Sequence, residues 1–591
     1  MAEPFEDSRR LTGCNVYFAG TGAALESARG LAFDDATLAR WRDGIALACD
    51  ALDWPHGELL ARRHRSGVSL AFAAPMDRLY AATEVNEWAW SRAVARTADR
   101  EAHAPGHAAW WDDASGLRTL RAVAAAEAHP ALLALRDAAQ ARGLPFLPDE
   151  DAVSIGAGTG SAVWPIAALP AVDAVEWTAL HAIPTALVTG SNGKTTTVRL
   201  IAAMTRAHGW RTAHSCTDGV FFDGEALEAG DFSGPAGART VLRQPQAEAA
   251  VLETARGGML RRGLALCRAD AAVVANVSAD HFGEYGIHDL DDLARVKLTV
   301  ARAIGADGLL VLNADDATLT RQAEALTCPR GWFALDFDAP ALAAHRSRGG
   351  ATCGVRAQRL RLSWHGEEHD LGAVADMPLT LGGRADYNVA NIAGASLTAT
   401  ALGVAPAAIA ATLARFGAAH DDNPGRLQHW RFGALDVYVD YAHNPDGLHG
   451  FLHAIGAAER GGRLGMILGH AGNREDADLR AVAATAATFR PDLVVLKDSG
   501  GYERGRASGE IAAIMRAALR AAGTPDDAID IHLDEADAAR HTLQWARDGD
   551  LLALPVHELA VREKVVAWLD TLRASQWRPG TALPPLPELA P

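Results

Sequence analysis

From residue 185 onward, short apolar runs alternate with longer alanine-rich stretches that have a helical pattern of apolar positions. Each run is short enough for a single buried strand, and each stretch between runs is long enough for a helix. Strands that alternate with helices in this way form parallel α/β sheets. The apolar runs read "TALVTG", "AAVLET", "AAVVANV", "GLLVLN", "LDVYVDY", "LGMILG", "DLVVLK" and "DLLALP".

Two interruptions of this pattern divide the chain into three predicted domains. Residues 143–172 are rich in Gly and Pro, and residues 420–426 place Asp, Asn, Pro and Gly between two periodic regions. We therefore expect an N-terminal α+β domain over residues 1–172 with a linker at its end. A central domain with a parallel sheet over 173–424 and a C-terminal Rossmann-like α/β domain over 425–591 are expected to follow.

The predicted linker contains three closely spaced glycines, Gly156, Gly158 and Gly160. Their spacing resembles that of a dinucleotide-binding turn, which also needs a strand before it and a helix after it. No clear strand pattern precedes these glycines and no strong helix pattern follows. We therefore interpret the segment as a linker.

The charge balance argues against broad nucleic-acid binding, because 73 acidic residues outnumber 56 basic ones and give a formal charge of -17. A basic cluster at residues 62–65 is interpreted as the solvated face of a helix. The six cysteines have no C-x-x-C spacing, so neither structural zinc nor a disulfide framework is expected.

No membrane partner is expected, since no apolar run is long enough to cross a bilayer. The opening residues, "MAEPFEDSRRLTG", lack the apolar core of a secretory signal. We therefore expect a cytoplasmic protein.

The segment "TALVTGSNGKTTTVRLI", residues 185–201, predicts a phosphate-binding turn between a strand and a helix. Its glycines allow a tight turn whose N–H groups and helix N-terminus face an anion. Lys194 then reaches the β- and γ-phosphates, and the Thr195 hydroxyl can bind Mg²⁺. The turn is shorter than the full P-loop pattern, because Val188 stands where the first glycine would be. The predicted phosphate-binding residues are Gly190, Ser191, Asn192, Gly193, Lys194, Thr195 and Thr196.

Candidate metal ligands follow two other predicted strands. Glu253 ends the run "AAVLE", and Asp280 and His281 follow "AAVVANV". Strand ends of this kind form the ligand-binding edge of an α/β sheet. A carboxylate suits Mg²⁺, whereas histidine is an unusual magnesium ligand. Together with the hydroxyl group of Thr195, Glu253 and His281 form the predicted metal set.

A P-loop by itself does not distinguish a kinase, a GTPase and a ligase.

Ordered motifs point to a family. "TGSNGKTTT", "LETARGG", "NVSADHFGEYG", "NADD", "DYNVANIAGA", "NPGR" and "DYAHNPDG" occur in the order found in the Mur ligases. The chain resembles this family over roughly residues 183–557, and within it the Mur-like domain of the cyanophycin synthetases. The segments "CTDGVFFDG" and "KDSGGYERGRASGE" carry the second resemblance.

The resemblance implies roles for matching positions. It assigns ATP phosphate and Mg²⁺ to Lys194 and Thr195, metal binding to Glu253 and His281, and a carbamylated lysine to Lys297. Further ATP contacts fall on Asn313, Asp316, Asn388, Asn391, Arg426 and Asp440. Substrate contacts are assigned to His443, Asn444, Arg474, Arg504 and Arg506. For Arg504 and Arg506 a charged surface turn is an alternative interpretation.

By this resemblance the protein is an ATP-dependent amide ligase that uses Mg²⁺ and forms an acyl phosphate. Its partners would be a small-molecule or peptide carboxylate acceptor and an amino acid. Two alternatives stay open: a folylpolyglutamate- or peptidoglycan-type ligase, and a non-catalytic nucleotide-binding regulatory subunit. Self-association into a homo-oligomer is also left open.

The resemblance has one large gap. In cyanophycin synthetases an ATP-grasp domain lies between an N-terminal domain and the Mur-like part, whereas here about twenty to thirty residues of linker are expected at that place, too few for a domain. We therefore expect one kind of amide bond, made on an acceptor supplied by a separate enzyme.

Overall fold

The computed structural model describes residues 3–98, 112–280, 282–472, 474–498, 500 and 505–587. In the N-terminal part, four antiparallel strands in the order β1-β2-β4-β3 are covered by helices, and the buried Trp41 and Trp90 side chains fill the core between them. Asp34 caps the first helix by accepting a 2.7 Å hydrogen bond from Thr37 N. The elements are β1 Phe5–Leu11, β2 Gly22–Ser27, α1 Asp35–Leu52, β3 Leu59–His64, β4 Gly67–Ala73, α2 Leu79–Ala98, α3 Asp113–Glu127 and α4 Pro130–Gln140.

The segment expected to be a linker is folded. It forms a three-stranded antiparallel sheet of β5 Phe146–Pro148, β6 Ala152–Ile155 and β7 Ala162–Pro165. Strand β6 ends directly before Gly156, but only a single 3₁₀ turn, Gly158–Gly160, follows. Arg243 of the central domain donates a 2.8 Å hydrogen bond to Leu147 O, which connects this small sheet to the central domain. The expectation of an irregular linker was therefore wrong, because contacts distant in sequence stabilise the strands.

The basic cluster at residues 62–65 also differs from expectation. Arg62, Arg63 and His64 belong to strand β3 and not to a helix. Side chains therefore alternate between the two faces of the sheet, and only one of the two arginines on the strand is exposed.

The central domain contains an 11-stranded sheet in the order β11-β10-β9-β12-β8-β13-β14-β15-β16-β17-β18. The strands from β9 to β16 in this order pair in parallel, whereas β10, β11, β17 and β18 add antiparallel edges that the sequence pattern did not predict. The inner strands are buried on both faces, as parallel sheets require. The strands are β8 Thr185–Thr189, β9 Thr212–Cys216, β10 Gly219–Phe222, β11 Glu225–Ala229, β12 Ala249–Glu253, β13 Ala269–Val274, β14 Ile304–Asn313, β15 Arg330–Asp336, β16 Thr352–Arg356, β17 Arg359–Trp364 and β18 Glu367–Ala373.

Helices cover both faces of this sheet. Helix α5 packs between the sheet and helices α11 and α12, and it is buried along most of its length. The helices are α5 Lys194–Ala207, α6 Pro235–Leu242, α7 Arg256–Arg261, α8 Leu290–Lys297, α9 Ala317–Ala323, α10 Pro340–Arg346, α11 Asp386–Ala401 and α12 Pro406–Leu413.

The C-terminal domain has a six-stranded sheet in the order β19-β20-β24-β21-β22-β23, which is parallel except for the β19-β20 pair. The predicted α/β fold with a central sheet domain, a second α/β domain and a separate N-terminal domain is confirmed. The elements are β19 Gln428–Phe432, β20 Leu435–Asp440, α13 Pro445–Ala454, β21 Leu464–Gly469, α14 Asp476–Thr488, β22 Leu493–Lys497, α15 Glu510–Ala521, β23 Ile529–Ile531, α16 Glu535–Trp545, β24 Leu551–Pro555 and α17 Leu559–Ala574.

Across the described ranges, none of the helices combines the length and the apolar character that a bilayer crossing demands.

Candidate active site

The phosphate-binding turn lies between β8 and α5, where the sequence predicted a strand, a turn and a helix. Gly193 has a φ of 79°, in the left-handed region that glycine adopts without steric cost. A Cβ atom at Gly193 would come within 2.2 Å of the Asn391 amide oxygen. The turn therefore needs glycine for its conformation and for the close approach of α11.

A cavity of about 450 Å³ opens in front of this turn. It lies at the carboxyl ends of the central strands, and the C-terminal domain covers its other side. Every residue predicted to contact ATP lines it except Gly190. The lining includes Ser191, Asn192, Gly193, Lys194, Thr195, Thr196, Asn313, Asp316, Asn388, Asn391, Arg426 and Asp440.

Glu253 lies at the base of the cavity and is 1% exposed. Its carboxylate accepts hydrogen bonds from the Thr195 hydroxyl at 2.8 Å and from the Thr217 hydroxyl at 2.8 Å. Arg426 donates a 3.4 Å hydrogen bond to the same Thr195 oxygen. One carboxylate and two hydroxyl groups thus meet beside the phosphate-binding turn, and hard oxygen donors of this kind fit Mg²⁺.

His281, the third member of the predicted metal set, lies outside the described residues. Within those residues, no group of three or more His, Cys, Asp and Glu side chains is arranged to hold a metal ion. Thr195 and Glu253 are therefore the part of the predicted set that the structure brings together.

Four of the residues predicted to contact ATP support the wall of the cavity. Asp316 accepts a 2.7 Å hydrogen bond from Val277 N and caps α9, and Asn313 donates a 3.1 Å hydrogen bond to Ala275 O. On α11, Asn391 donates a 3.2 Å hydrogen bond to the Asn388 side chain. Asn313 and Asp316 thus join the loops after β13 and β14 to each other, and the asparagine pair orders the face of α11 at the cavity.

The C-terminal domain reaches the cavity through residues that follow β20. Asn444 exchanges two hydrogen bonds with the Asn192 side chain, at 2.9 and 3.2 Å, which connects this domain directly to the phosphate-binding turn. Asp440 accepts hydrogen bonds from backbone N–H groups, and its burial raises its pKa. The Arg426 guanidinium lies 4.4 Å from the centre of the Tyr441 ring. The two domains therefore enclose the cavity together.

A buried ion cluster that sequence reasoning missed lies behind Arg426. Asp218, in the turn between β9 and β10, lies 3.3 Å from Arg199, 2.5 Å from Arg562 of α17 and 3.7 Å from Arg426. Burial opposes ionisation of Asp218, but the charges of the three arginines outweigh it and lower its pKa. In the sequence, Asp218 is marked only by its place in "CTDGVFFDG", one of the segments that carry the resemblance to the cyanophycin synthetases.

Replacing Asp218 with asparagine should destabilise the closed arrangement of the two domains. Three buried arginines would lose their shared counter-charge, which costs about 3 kcal/mol by analogy with broken buried ion pairs. Because the folded-state pKa is lowered, the stability that Asp218 contributes is present above its unfolded pKa, about 3.9, and is lost as the pH falls through the folded value.

Thermal unfolding near neutral pH measures this effect. Asp223→Asn is the control, since it makes the same change at the exposed turn of the adjoining β10–β11 hairpin. Equal unfolding midpoints for the two variants would contradict a stabilising role for the cluster.

The predicted substrate residues differ in their position relative to the cavity. His443 lines the cavity and lies 3.6 Å from Asp280, and Arg474 lies 2.8 Å from the same carboxylate. Arg506 does not line the cavity. It donates hydrogen bonds to Gly472 O at 3.0 Å and Arg474 O at 2.7 Å, and so supports the loop that carries Arg474. Arg504 lies outside the described residues.

A buried histidine near these residues was also missed by sequence reasoning. His470 follows β21 and is 4% exposed. Burial, together with the charges of Arg474 and His443, lowers its pKa to about 3. The imidazole is therefore neutral near physiological pH and cannot supply a positive charge there.

Lys297 ends α8 and is 3% exposed. Burial and the charge of Lys194 lower its pKa well below the usual value, and Arg256 adds to this effect while Asp280 opposes it. A lowered pKa increases the neutral fraction of the amine, which is the form that reacts as a nucleophile.

Comparison with known proteins agrees with this architecture. Residues 188–399 match the family "Mur ligase middle domain", and residues 425–554 match "Mur ligase, glutamate ligase domain". The UDP-N-acetylmuramoyl-L-alanyl-D-glutamate--2,6-diaminopimelate ligase of Xanthomonas campestris is 32% identical over 62% of this chain and 70% of that protein. The chain therefore belongs to the Mur ligase family of ATP-dependent, amide-forming ligases.

A second set of relatives is more similar in sequence. Cyanophycin synthetase of Trichormus variabilis is 35% identical over 63% of this chain, and that of Synechocystis is 34% identical over the same share. The chain spans about two fifths of the length of these proteins, 41% and 42%. Among solved structures, E. coli FolC in complex with ADP has a TM-score of 0.49 at 18% identity, covering 66% of this chain and 90% of that one.

Proposed function

We propose that this protein joins a carboxylate of one substrate to the amino group of an amino acid, using ATP, through an acyl phosphate. The observation that carries the proposal is the convergence of Lys194, Thr195 and Glu253 in one cavity that the C-terminal domain covers. A protein that only bound a nucleotide would not need a buried carboxylate beside the phosphate turn.

The chemistry follows from the charges. A carboxylate is a poor electrophile, and transfer of the γ-phosphoryl group to it creates a good leaving group. The Lys194 ammonium and the N–H groups of the turn stabilise the charge that develops on the transferred group. The amine then attacks the acyl carbon, and loss of phosphate completes the amide.

Two features of the domain boundary suit a reaction that passes through an acyl phosphate. An acyl phosphate is lost to water unless the site is closed, and the Asn192–Asn444 pair holds the C-terminal domain against the phosphate-binding turn. His443 lines the cavity at the same domain boundary. The buried Arg474 guanidinium, which is paired with Asp280 in this structure, is the group proposed to bind an incoming carboxylate.

ATP and Mg²⁺ are the proposed cofactors. Thr195 and Glu253 would hold the metal ion through oxygen atoms, which agrees with the preference of Mg²⁺. Bound there, the ion would offset phosphate charge. Carbamylation of Lys297 belongs to the same proposal and is supported by its burial and lowered pKa, which favour the neutral amine.

The similarity to cyanophycin synthetase suggests an aspartyl side-chain carboxylate and arginine as the first substrates to test. The acceptor would be supplied ready-made by another enzyme. Folylpolyglutamate- and peptidoglycan-type acceptors are the alternatives, and all three share the same ATP chemistry.

The decisive experiment measures phosphate release from ATP with a panel of acidic amino acids, short aspartate peptides and candidate amines. Ligation predicts release that needs both an acid and an amine, and a product whose mass is their sum less one water. With the acid and hydroxylamine in place of the amine, an acyl phosphate should be trapped as a hydroxamate. Tight nucleotide binding without release under any of these conditions would favour the non-catalytic alternative.

A second measurement tests the single-ligase expectation. Incubation with ATP, Mg²⁺, free aspartate and free arginine, without primer or partner, should yield no polymer, because the described part of the chain has one phosphate-binding turn of this kind. Long aspartate–arginine chains in the product mixture would overturn this expectation.

A further inference from the structure

Side chains of the N-terminal domain bind the connection between β13 and α8. We call residues 283–292, which include the first residues of α8, the β13–α8 segment. Arg62, on strand β3, donates hydrogen bonds to Tyr285 O at 2.6 Å and to Gly286 O at 3.1 Å. Its guanidinium also lies 3.2 Å from the Asp292 carboxylate. One side chain therefore binds both ends of the segment.

Other side chains of the N-terminal domain bind the same segment. The Ser66 hydroxyl lies 3.0 Å from His288 Nε2, and Arg29 donates a 3.2 Å hydrogen bond to Gly283 O. The Arg9 guanidinium lies 4.6 Å from the centre of the Tyr285 ring. The contact is thus largely polar, and three backbone carbonyl groups of the segment accept hydrogen bonds in it.

The backbone of the segment needs such support. Gly283, Tyr285 and Gly286 have φ values of 89°, 52° and 67°. Tyr285 is a residue with a Cβ atom in the left-handed region, which costs about 1 kcal/mol relative to an ordinary conformation. Its carbonyl group is the one that Arg62 binds at the shortest distance.

The segment also contacts the central and C-terminal domains. Glu284 lies 2.5 Å from Arg256, and a Cβ atom at Gly283 would come within 2.4 Å of Glu475 in the C-terminal domain. Asp280, three residues before the segment, contacts Arg474 and His443. The segment is therefore a junction at which all three domains meet.

We propose that Arg62 is a positioning residue and that the N-terminal domain acts through it to hold the β13–α8 segment in its active conformation. This gives the N-terminal domain a role in the ligase reaction besides any role in binding an acceptor. The proposal rests on the proposed function for its effect on rate, but the contact itself can be tested without activity.

The test compares Arg62→Ala with Arg63→Ala in the full chain. Arg63 is the neighbouring arginine on β3, and its ion pair with Asp35 stays within the N-terminal domain. In Arg62→Ala, amide hydrogen exchange of peptides covering the segment should be about tenfold faster, because three contacts that restrain it are lost. The Arg63→Ala variant should exchange as the parent does.

Activity gives the second readout. In Arg62→Ala, kcat for ligation should fall by roughly 10- to 100-fold, since small displacements of active-site groups have effects of this size. The affinity for a fluorescent ATP analogue should change less than about twofold, because the phosphate-binding turn does not contact the segment's N-terminal support. A purely structural role would instead lower nucleotide affinity and the thermal midpoint together.

Arg62→Lys covers the case in which the alanine variant fails to fold. Lysine keeps the charge near Asp292 but lacks the planar guanidinium that reaches both carbonyl groups and Asp292 at once, so exchange and kcat should lie between those of the parent and of alanine. Parent-like exchange and kcat in a folded Arg62 variant would overturn the proposal. Faster exchange in a chain that shows no ligase activity under any condition would retain the contact and reject the proposed function.

Discussion

Replacing Lys194 with alanine is expected to lower the rate of ligation by about 10³-fold or more, because it removes the positive charge nearest the transferred phosphoryl group. The side chain lines the cavity in front of the turn, where its ammonium lies 3.2 Å from Ser191 O. It is thereby positioned beside the N–H groups that would receive the phosphates. The measurement is the acid- and amine-dependent release of phosphate.

Two companion variants make this result interpretable. Lys194→Arg keeps the charge and should retain more activity than alanine, although the larger planar group fits the turn less well. Lys564→Ala removes a lysine from α17, outside the cavity lining, and should have little effect. Near-normal turnover of Lys194→Ala would mean that the phosphate site has been assigned wrongly.

Replacing Glu253 with glutamine should lower the rate by about 100-fold and also raise the Mg²⁺ concentration needed for half-maximal activity. The substitution keeps the size of the side chain but removes its negative charge. Glutamine can still accept a hydrogen bond from Thr195 or Thr217, so the fold of the turn should survive. A magnesium titration of the variant measures both effects.

Glu228→Gln is the matched control for Glu253, because it removes a carboxylate from β11, where the side chain is exposed. Its magnesium dependence should equal that of the parent. An unchanged magnesium dependence in Glu253→Gln would assign Glu253 a structural role, as the acceptor that holds Thr195 and Thr217 together. The same titration of His281→Ala tests the remaining member of the predicted metal set.

The strand, turn and helix around Lys194 could be predicted from the sequence because each is specified locally. A buried apolar run, a glycine at the left-handed position and a helical pattern occur within seventeen residues. Glu253 could be placed at a strand end for the same reason. Parallel strands then bring these ends to one edge of the sheet, so a site near that edge could be predicted without knowing the packing.

Other features were decided by contacts between distant parts of the chain. The sequence gives no sign that Asp218 meets Arg562, which is 344 residues away, or that Asn192 pairs with Asn444. Arg62 was interpreted as a solvated charge. A run of basic residues looks the same in the sequence whether its side chains donate hydrogen bonds to water or to backbone carbonyl groups.

The same reasoning explains the folded segment at residues 146–165 and the antiparallel edges of the central sheet. The strands of residues 146–165 are only three or four residues long, and the edge strands β11 and β18 carry several acidic residues. Such strands have weak local preferences, and their partners stabilise them. The sequence by itself therefore determined the phosphate-binding turn and the alternation of the central parallel strands with helices, through local periodicity and backbone conformation. Only the tertiary structure decided which charges and amides meet across the three domains, because those contacts depend on distance in space and not on spacing along the chain.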